Sequence, residues 1–97
     1  MITVRVRGVA SIGKMVGPEG ERNVAVPLNS SLYELIDVLA EKCGEPLKAR
    51  ILKEGTRELR SDIALLINGR FIALLNGLDT KLQNGDTLSL IPPLAGG

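Results

Sequence analysis

Apolar and polar residues alternate from the start of the chain. Ile2, Val4 and Val6 fall on one side of an extended backbone, with Thr3, Arg5 and Arg7 on the other. This period of two predicts a half-buried first strand. Gly8 to Glu21 breaks the pattern with four glycines and Pro18, which predicts a long irregular turn. Asn23-Val24-Ala25-Val26 restores a short strand that Pro27 ends, and the two strands are expected to pair antiparallel. The period then becomes helical. Leu32, Leu35, Ile36, Leu39 and Ala40 form one apolar stripe. Ser31 and Glu34 match a capping box, each side chain satisfying a free backbone N–H. Lys42 lies near the negative end of the helix dipole, and Gly44 suits the left-handed position beyond it. Pro46 opens a second short helix that buries Leu47 and Ile51.

From Ser61 onward the pattern is that of strands. Ile63 to Ile67 is an unbroken apolar run, as in a strand covered on both faces. Asn68-Gly69 is a hairpin signal leading into a strand over Phe71 to Leu75. Gln83-Asn84-Gly85-Asp86 turns the chain into a last strand, Thr87 to Ile91. A hairpin, one main helix crossing one face, and further strands of a mixed sheet make an α+β domain of the β-grasp type. A ferredoxin-like sandwich uses the same elements but wants a second long helix, for which Leu47 to Leu52 is too short. Alternation turns Leu88 and Leu90 inward and leaves Ile91 facing out. In the hairpin strand Ile72 and Leu74 are expected inward, with Phe71, Ala73 and Leu75 on the opposite face. That opposite face is apolar enough to mark a partner surface.

Composition narrows the functions available. The 97 residues fit one domain, 1–97, with a flexible tail over 92–97. Only Tyr33 and Phe71 are aromatic and the net charge is +1. Neither stacking platforms nor a positive field for nucleic acid or anionic membrane is expected. There is no histidine and a single cysteine, Cys43, so an internal disulfide and the usual zinc ligand sets are excluded and no metal is expected. Without histidine, a hydrolase or transferase lacks most of its parts, and no activity of the chain alone is expected. Cys43 reads as a packed side chain rather than a sulfur relay. Lys48 to Arg60 carries five basic residues among glutamates and reads as a solvated face. The first residues do not form a signal peptide, and no apolar run approaches the ~20 residues of a membrane span. Cytoplasm is the default expectation.

The sequence finishes Ile91-Pro92-Pro93-Leu94-Ala95-Gly96-Gly97. Two prolines fix φ and hold the chain off the sheet. Five residues beyond Pro92 reach roughly 16 Å when extended. Gly96 and Gly97 carry no Cβ, so their backbone fits a channel that any side chain would block. A terminal carboxylate is a poor electrophile until it is given a leaving group, which adenylation by ATP supplies. A sulfur or nitrogen nucleophile then attacks the acyl carbon.

Three segments in order carry a resemblance: Leu65-Leu66-Ile67-Asn68-Gly69-Arg70, the turn Gly77-Leu78-Asp79-Thr80-Lys81-Leu82-Gln83-Asn84-Gly85-Asp86-Thr87-Leu88, and the tail from Ile91 to Gly97. Together they resemble the MoaD-type sulfur carriers, ubiquitin-like β-grasp proteins that form the small subunit of molybdopterin synthase. The related thiamine-pathway carriers are usually shorter and usually lack the two prolines. The glycine-rich insert from Gly8 to Gly20 is a departure, with Arg7 where some relatives carry an apolar partner contact. The resemblance implies a cycle with no cofactor bound to the carrier itself. An E1-like adenylyltransferase of MoeB or ThiF type uses MgATP to form an acyl-adenylate at Gly97, and sulfur transfer gives a thiocarboxylate. The tail, Leu94, Ala95 and Gly96 included, then inserts into a MoaE-type large subunit. The resemblance also places partner contacts at Phe71, Ile91 and Pro92. The same fold and tail serve a ubiquitin-like modifier that forms isopeptides through Gly97, or a carrier for thiamine synthesis or tRNA thiolation. A plain interaction module is the remaining reading.

Overall fold

The structure, a computed structural model, describes residues 1–93. Strand β1, Ile2–Gly8, buries Ile2, Val4 and Val6 and exposes Thr3, Arg5 and Arg7, as alternation requires. It pairs antiparallel with β2, Glu21–Val26, in a register running from Ile2 opposite Val26 to Arg7 opposite Glu21. The segment between them is not the irregular turn that its glycines predict. A 3-10 turn, Ala10–Ile12, runs into a one-turn helix α1, Gly13–Val16, and both Ile12 and Val16 are buried in the core. The glycines permit close backbone packing. A Cβ on Gly8 would lie 2.8 Å from the Gly13 nitrogen, and one on Gly13 would lie 2.9 Å from the Gly8 oxygen.

Helix α2, Leu32–Cys43, begins at the expected capping box. Ser31 Oγ accepts from the Glu34 N–H at 3.2 Å, and the Glu34 carboxylate accepts from the Ser31 N–H at 3.1 Å. Its stripe of Leu32, Leu35, Ile36 and Leu39 is fully buried against the sheet. Gly44 takes a positive φ of 98° but an extended ψ of 161°, so the chain turns directly into α3, Glu45–Ile51. Leu47 and Ile51 bury as expected.

Strands β3, Ala64–Ile67, and β4, Arg70–Phe71, form the Asn68-Gly69 hairpin, both turn residues having positive φ. Two expectations fail here. Strand β3 buries Leu65 and Ile67 on one side only, leaving Ala64 and Leu66 half-buried, because helices cover a single face of the sheet. Strand β4 stops after Phe71, and Ile72–Leu74 is a 3-10 turn. Three residues per turn place Ile72 and Leu75 on the inner side, whereas a strand would have paired Ile72 with Leu74. Leu74 is accordingly 76% exposed, while Leu75 packs on the core.

The last strand, β5, Thr87–Ile91, lies at the centre of the five-stranded order β2-β1-β5-β3-β4. It runs parallel to β1 and antiparallel to β3. The result is a ubiquitin-like β-grasp: a mixed sheet with its helices on one face and an aliphatic core between the layers. No helix among the described residues is long and apolar enough to cross a membrane.

Candidate functional site

The sheet face turned away from the helices is built by register. Strand pairing sets Glu21, Arg7, Ser89, Leu66 and Phe71 side by side across all five strands. Arg5 and Thr87 form the row nearer the start of β5, and Ile91 with Ala64 forms the row nearer its end. The Val9 N–H donates to the Leu90 carbonyl at 3.0 Å, continuing the parallel ladder and bringing Val9 level with Ile91. Val9, Ile91, Ala64, Leu66 and Phe71 thus make one apolar surface at the end of β5. Phe71 is 54% exposed and Val9 40%, while Leu66, Ile91 and Pro92 are half-buried.

Of the residues expected to act, Phe71 and Ile91 do lie on this face, two strands apart and offset by two residues along them, with Leu66 and Ala64 between them. Pro92 follows Ile91 directly at the foot of the tail. Leu94, Ala95, Gly96 and Gly97 lie outside the described residues. Sequence reasoning missed Val9 and Leu66. Extending the β1 alternation through Gly8 would have found Val9, and alternation within Ile63 to Ile67 would have found Leu66.

The turn motifs hold the site in place. Asn68 Nδ2 donates to Asp86 Oδ1 at 2.9 Å, and Asn68 Oδ1 accepts from the Thr87 N–H at 2.9 Å. Asp86 Oδ2 accepts from the Gln83 N–H at 2.8 Å. These bonds fasten the β3–β4 turn to the start of β5.

Charge on the outward face is sparse and positive. Arg5 Nε lies 4.0 Å from Glu21, at the outer limit of an ion pair. Among the described residues no carboxylate is within ion-pair distance of Arg7.

The basic run occupies a different surface. A cleft of about 620 Å³ includes Tyr33, Lys48, Lys53, Arg57 and Arg60 in its lining. Its cations are already engaged: Lys48 with Asp37 at 2.9 Å, Lys53 with Glu58 at 3.5 Å and Arg57 with Asp79 at 3.2 Å. Arg57 also lies 4.2 Å from the Tyr33 ring centre, a cation–π contact. Arg60 holds both oxygens of Asp62, at 2.8 and 2.9 Å. The hydrogen bond that Lys48 donates to Asp37 raises the Lys48 pKa, and the one that Asp62 accepts from Arg60 lowers the Asp62 pKa. This is a solvated, ion-paired face, as its composition predicts. Cys43 is half-buried, its sulfur accepting from Arg22 Nη1 at 3.2 Å and facing the Val16 carbonyl at 3.6 Å, which fits a packing role. No cluster among the described residues could hold a metal ion.

Comparison with known proteins places these features. Residues 10–97 match the ThiS family. A protein of Archaeoglobus fulgidus named "Putative sulfur carrier protein" is 34% identical over 67 residues, covering 69% of this chain and 74% of its own length. Small archaeal modifier protein 3 of Haloferax volcanii is 39% identical over 51 residues, 53% of each chain. The solution structure of small archaeal modifier protein 1 from Methanosarcina acetivorans superposes with a TM-score of 0.81 at 27% identity, over 100% of this chain and 98% of that one. A structure from Pyrococcus furiosus named "Putative molybdopterin converting factor, subunit 1" gives 0.74 at 22% identity, over 97% and 100%, a likeness of fold alone.

Proposed function

The chain belongs to the ThiS family, within the ubiquitin-like sulfur-carrier and modifier superfamily, and from that premise we propose that Gly97 is its reactive residue. An E1-like adenylyltransferase of the MoeB or ThiF type docks on the outward face and receives the tail, residues 92–97. The Gly97 carboxylate attacks the α-phosphate of MgATP, forming an acyl-adenylate and releasing pyrophosphate. A nucleophile then displaces AMP from the acyl carbon. Sulfide sulfur from a donor gives a thiocarboxylate, and a lysine amine of another protein gives an isopeptide.

The observation that carries this reading is the apolar surface of Val9, Ile91, Leu66 and Phe71 at the root of the tail. A partner held there has the arm within reach, and Gly96, Ala95 and Leu94 can be threaded toward its nucleotide. The proposal favours a protein modifier, or a carrier outside molybdopterin synthesis. Two relatives above 25% identity are named as modifiers and one as a sulfur carrier, whereas the molybdopterin factor shares the fold at 22%. The second reading, a molybdopterin synthase small subunit docking a MoaE-type partner, is supported by the order of the Asn68-Gly69-Arg70, Gly85-Asp86 and Pro92-Pro93 motifs.

Mass spectrometry tests both. A modifier leaves a Gly-Gly remnant on lysines of acceptor peptides after a cut just before Gly96. A carrier gains the mass of one sulfur in place of oxygen at Gly97. Absence of both, with a cognate activating enzyme, ATP and a sulfur donor present, overturns the proposal.

A further inference from the structure

Resting on the reading that the outward face docks the activating enzyme, we infer that this enzyme presents a carboxylate to Arg7, and that Arg7 selects the enzyme that can dock. Arg7 stands in the same cross-strand row as Ser89, Leu66 and Phe71, so a partner covering the apolar surface also covers Arg7. Its neighbours cannot neutralise it. Glu21, opposite Arg7 in register, lies 4.0 Å from Arg5, and with both side chains about half exposed the carboxylate is free to serve either guanidinium but not both fully. Asp86 is committed to Asn68 and the Gln83 N–H. Arg22 belongs to the other side of β2, where it bonds Cys43. The outward side of β1 and β2 therefore carries two guanidiniums and one carboxylate, a net single positive charge.

In water this excess is harmless. Under a docked protein it is not, because a guanidinium stripped of water without a counter-charge is strongly unfavourable. Two occupants resolve the problem: one that leaves Arg7 in water, and one that supplies an Asp or Glu. The first is disfavoured by position, since Arg7 sits between the apolar row of Val9 and Ile91 and the row of Arg5 and Thr87 rather than at the sheet margin. The activating enzyme is the occupant because carrier and modifier alike must meet it first. A planar guanidinium also favours a carboxylate held in two parallel hydrogen bonds, a geometry that lysine does not reproduce.

The test is ATP–pyrophosphate exchange by the cognate adenylating enzyme with Arg7→Leu, Arg7→Glu, Phe71→Asp and Ile91→Asp as substrates, folding being checked by circular dichroism. Arg7→Glu is expected to raise KM more than tenfold and Arg7→Leu several-fold, with kcat within about twofold. One Asp or Glu→Lys change on the enzyme should restore Arg7→Glu while impairing the wild-type chain. Added salt should weaken the wild type more than Arg7→Leu. If Phe71→Asp raises KM but Arg7→Leu leaves it unchanged or lowers it, the docking face stands and the charge inference is overturned. If Phe71→Asp and Ile91→Asp both leave KM unchanged, the docking reading fails and the inference falls with it.

Discussion

Replacing Gly8 by Ala should destabilise the domain chiefly through backbone crowding. The added Cβ would lie 2.8 Å from the Gly13 nitrogen, 2.9 Å from the Ile12 carbonyl carbon and 3.0 Å from Gly13 Cα. None of these is the end of a flexible side chain. Relief requires the 3-10 turn and α1 to move off β1 by several tenths of an ångström, which loosens Ile12 and Val16 in the core. Overpacking of this kind costs about 1–3 kcal/mol, and the lower chain entropy of Ala in the unfolded state returns about 0.4–1. A net loss of about 1–2 kcal/mol corresponds to a fall of roughly 4–16 °C in Tm for a domain of this size. Thermal unfolding followed by circular dichroism measures it. Gly55→Ala is the comparison: nothing lies within 4 Å of its Cβ, although its φ of +71° carries a strain of roughly 1–2 kcal/mol. A Gly8→Ala protein melting within about 2 °C of wild type would refute the packing described for the insert. Because Val9 follows Gly8 and sits level with Ile91, the same variant should also weaken docking, with KM in the exchange assay as the readout.

Three further outcomes are expected. Phe71→Asp and Ile91→Asp should each weaken binding of the activating enzyme tenfold or more, measured by titration calorimetry. Phe71→Asp should change Tm little because Phe71 is 54% exposed. Deleting Gly97, or replacing it with Ala, should leave the circular dichroism spectrum unchanged and abolish pyrophosphate exchange; exchange at the wild-type rate would remove Gly97 from the mechanism. Ser31→Ala removes the acceptor for the Glu34 N–H and should cost about 1 kcal/mol, read as a lower midpoint in urea with an unchanged slope.

What could be read from sequence divides by the range of the interactions involved. The capping box at Ser31, the Asn68-Gly69 turn and the alternation of β1 and β5 are local, so pattern alone located them. The insert was misread because glycine has two uses that look alike in sequence. It frees a loop, and it also lets two backbones touch, as Gly8 and Gly13 do. Phe71 to Leu75 was misread because five consecutive apolar positions suit a strand and a 3-10 turn equally, and only burial of Leu75 with Ile72 separates them. Part of the proposed docking surface depended on register. Val9 joins it only because β1 lies parallel to β5, a pairing between segments almost the whole chain apart. Partner choice was illegible for another reason: modifier and sulfur carrier share the fold, the tail and the first chemical step.

The position of β5 explains how one scaffold can serve both ends. The tail springs from the central strand, hydrogen-bonded on both sides and buried through Leu88 and Leu90, so its root is the least yielding part of the sheet. An arm with a fixed root and slender residues at its tip can be presented to any enzyme that takes hold of the surrounding face, and it imposes little selectivity of its own. On the proposed docking, discrimination comes from the side chains that flank the root on neighbouring strands, where substitution disturbs no core contact. Phe71 and Arg7 meet that condition, being exposed and lying on strands either side of the β3–β5 pair. Exchanging Phe71 and Arg7 for the residues of another carrier should therefore redirect the chain to that carrier's enzyme, while exchanging the last residues of the tail should not. Transfer of specificity with the tail alone would place discrimination at the tip and reverse this division of labour.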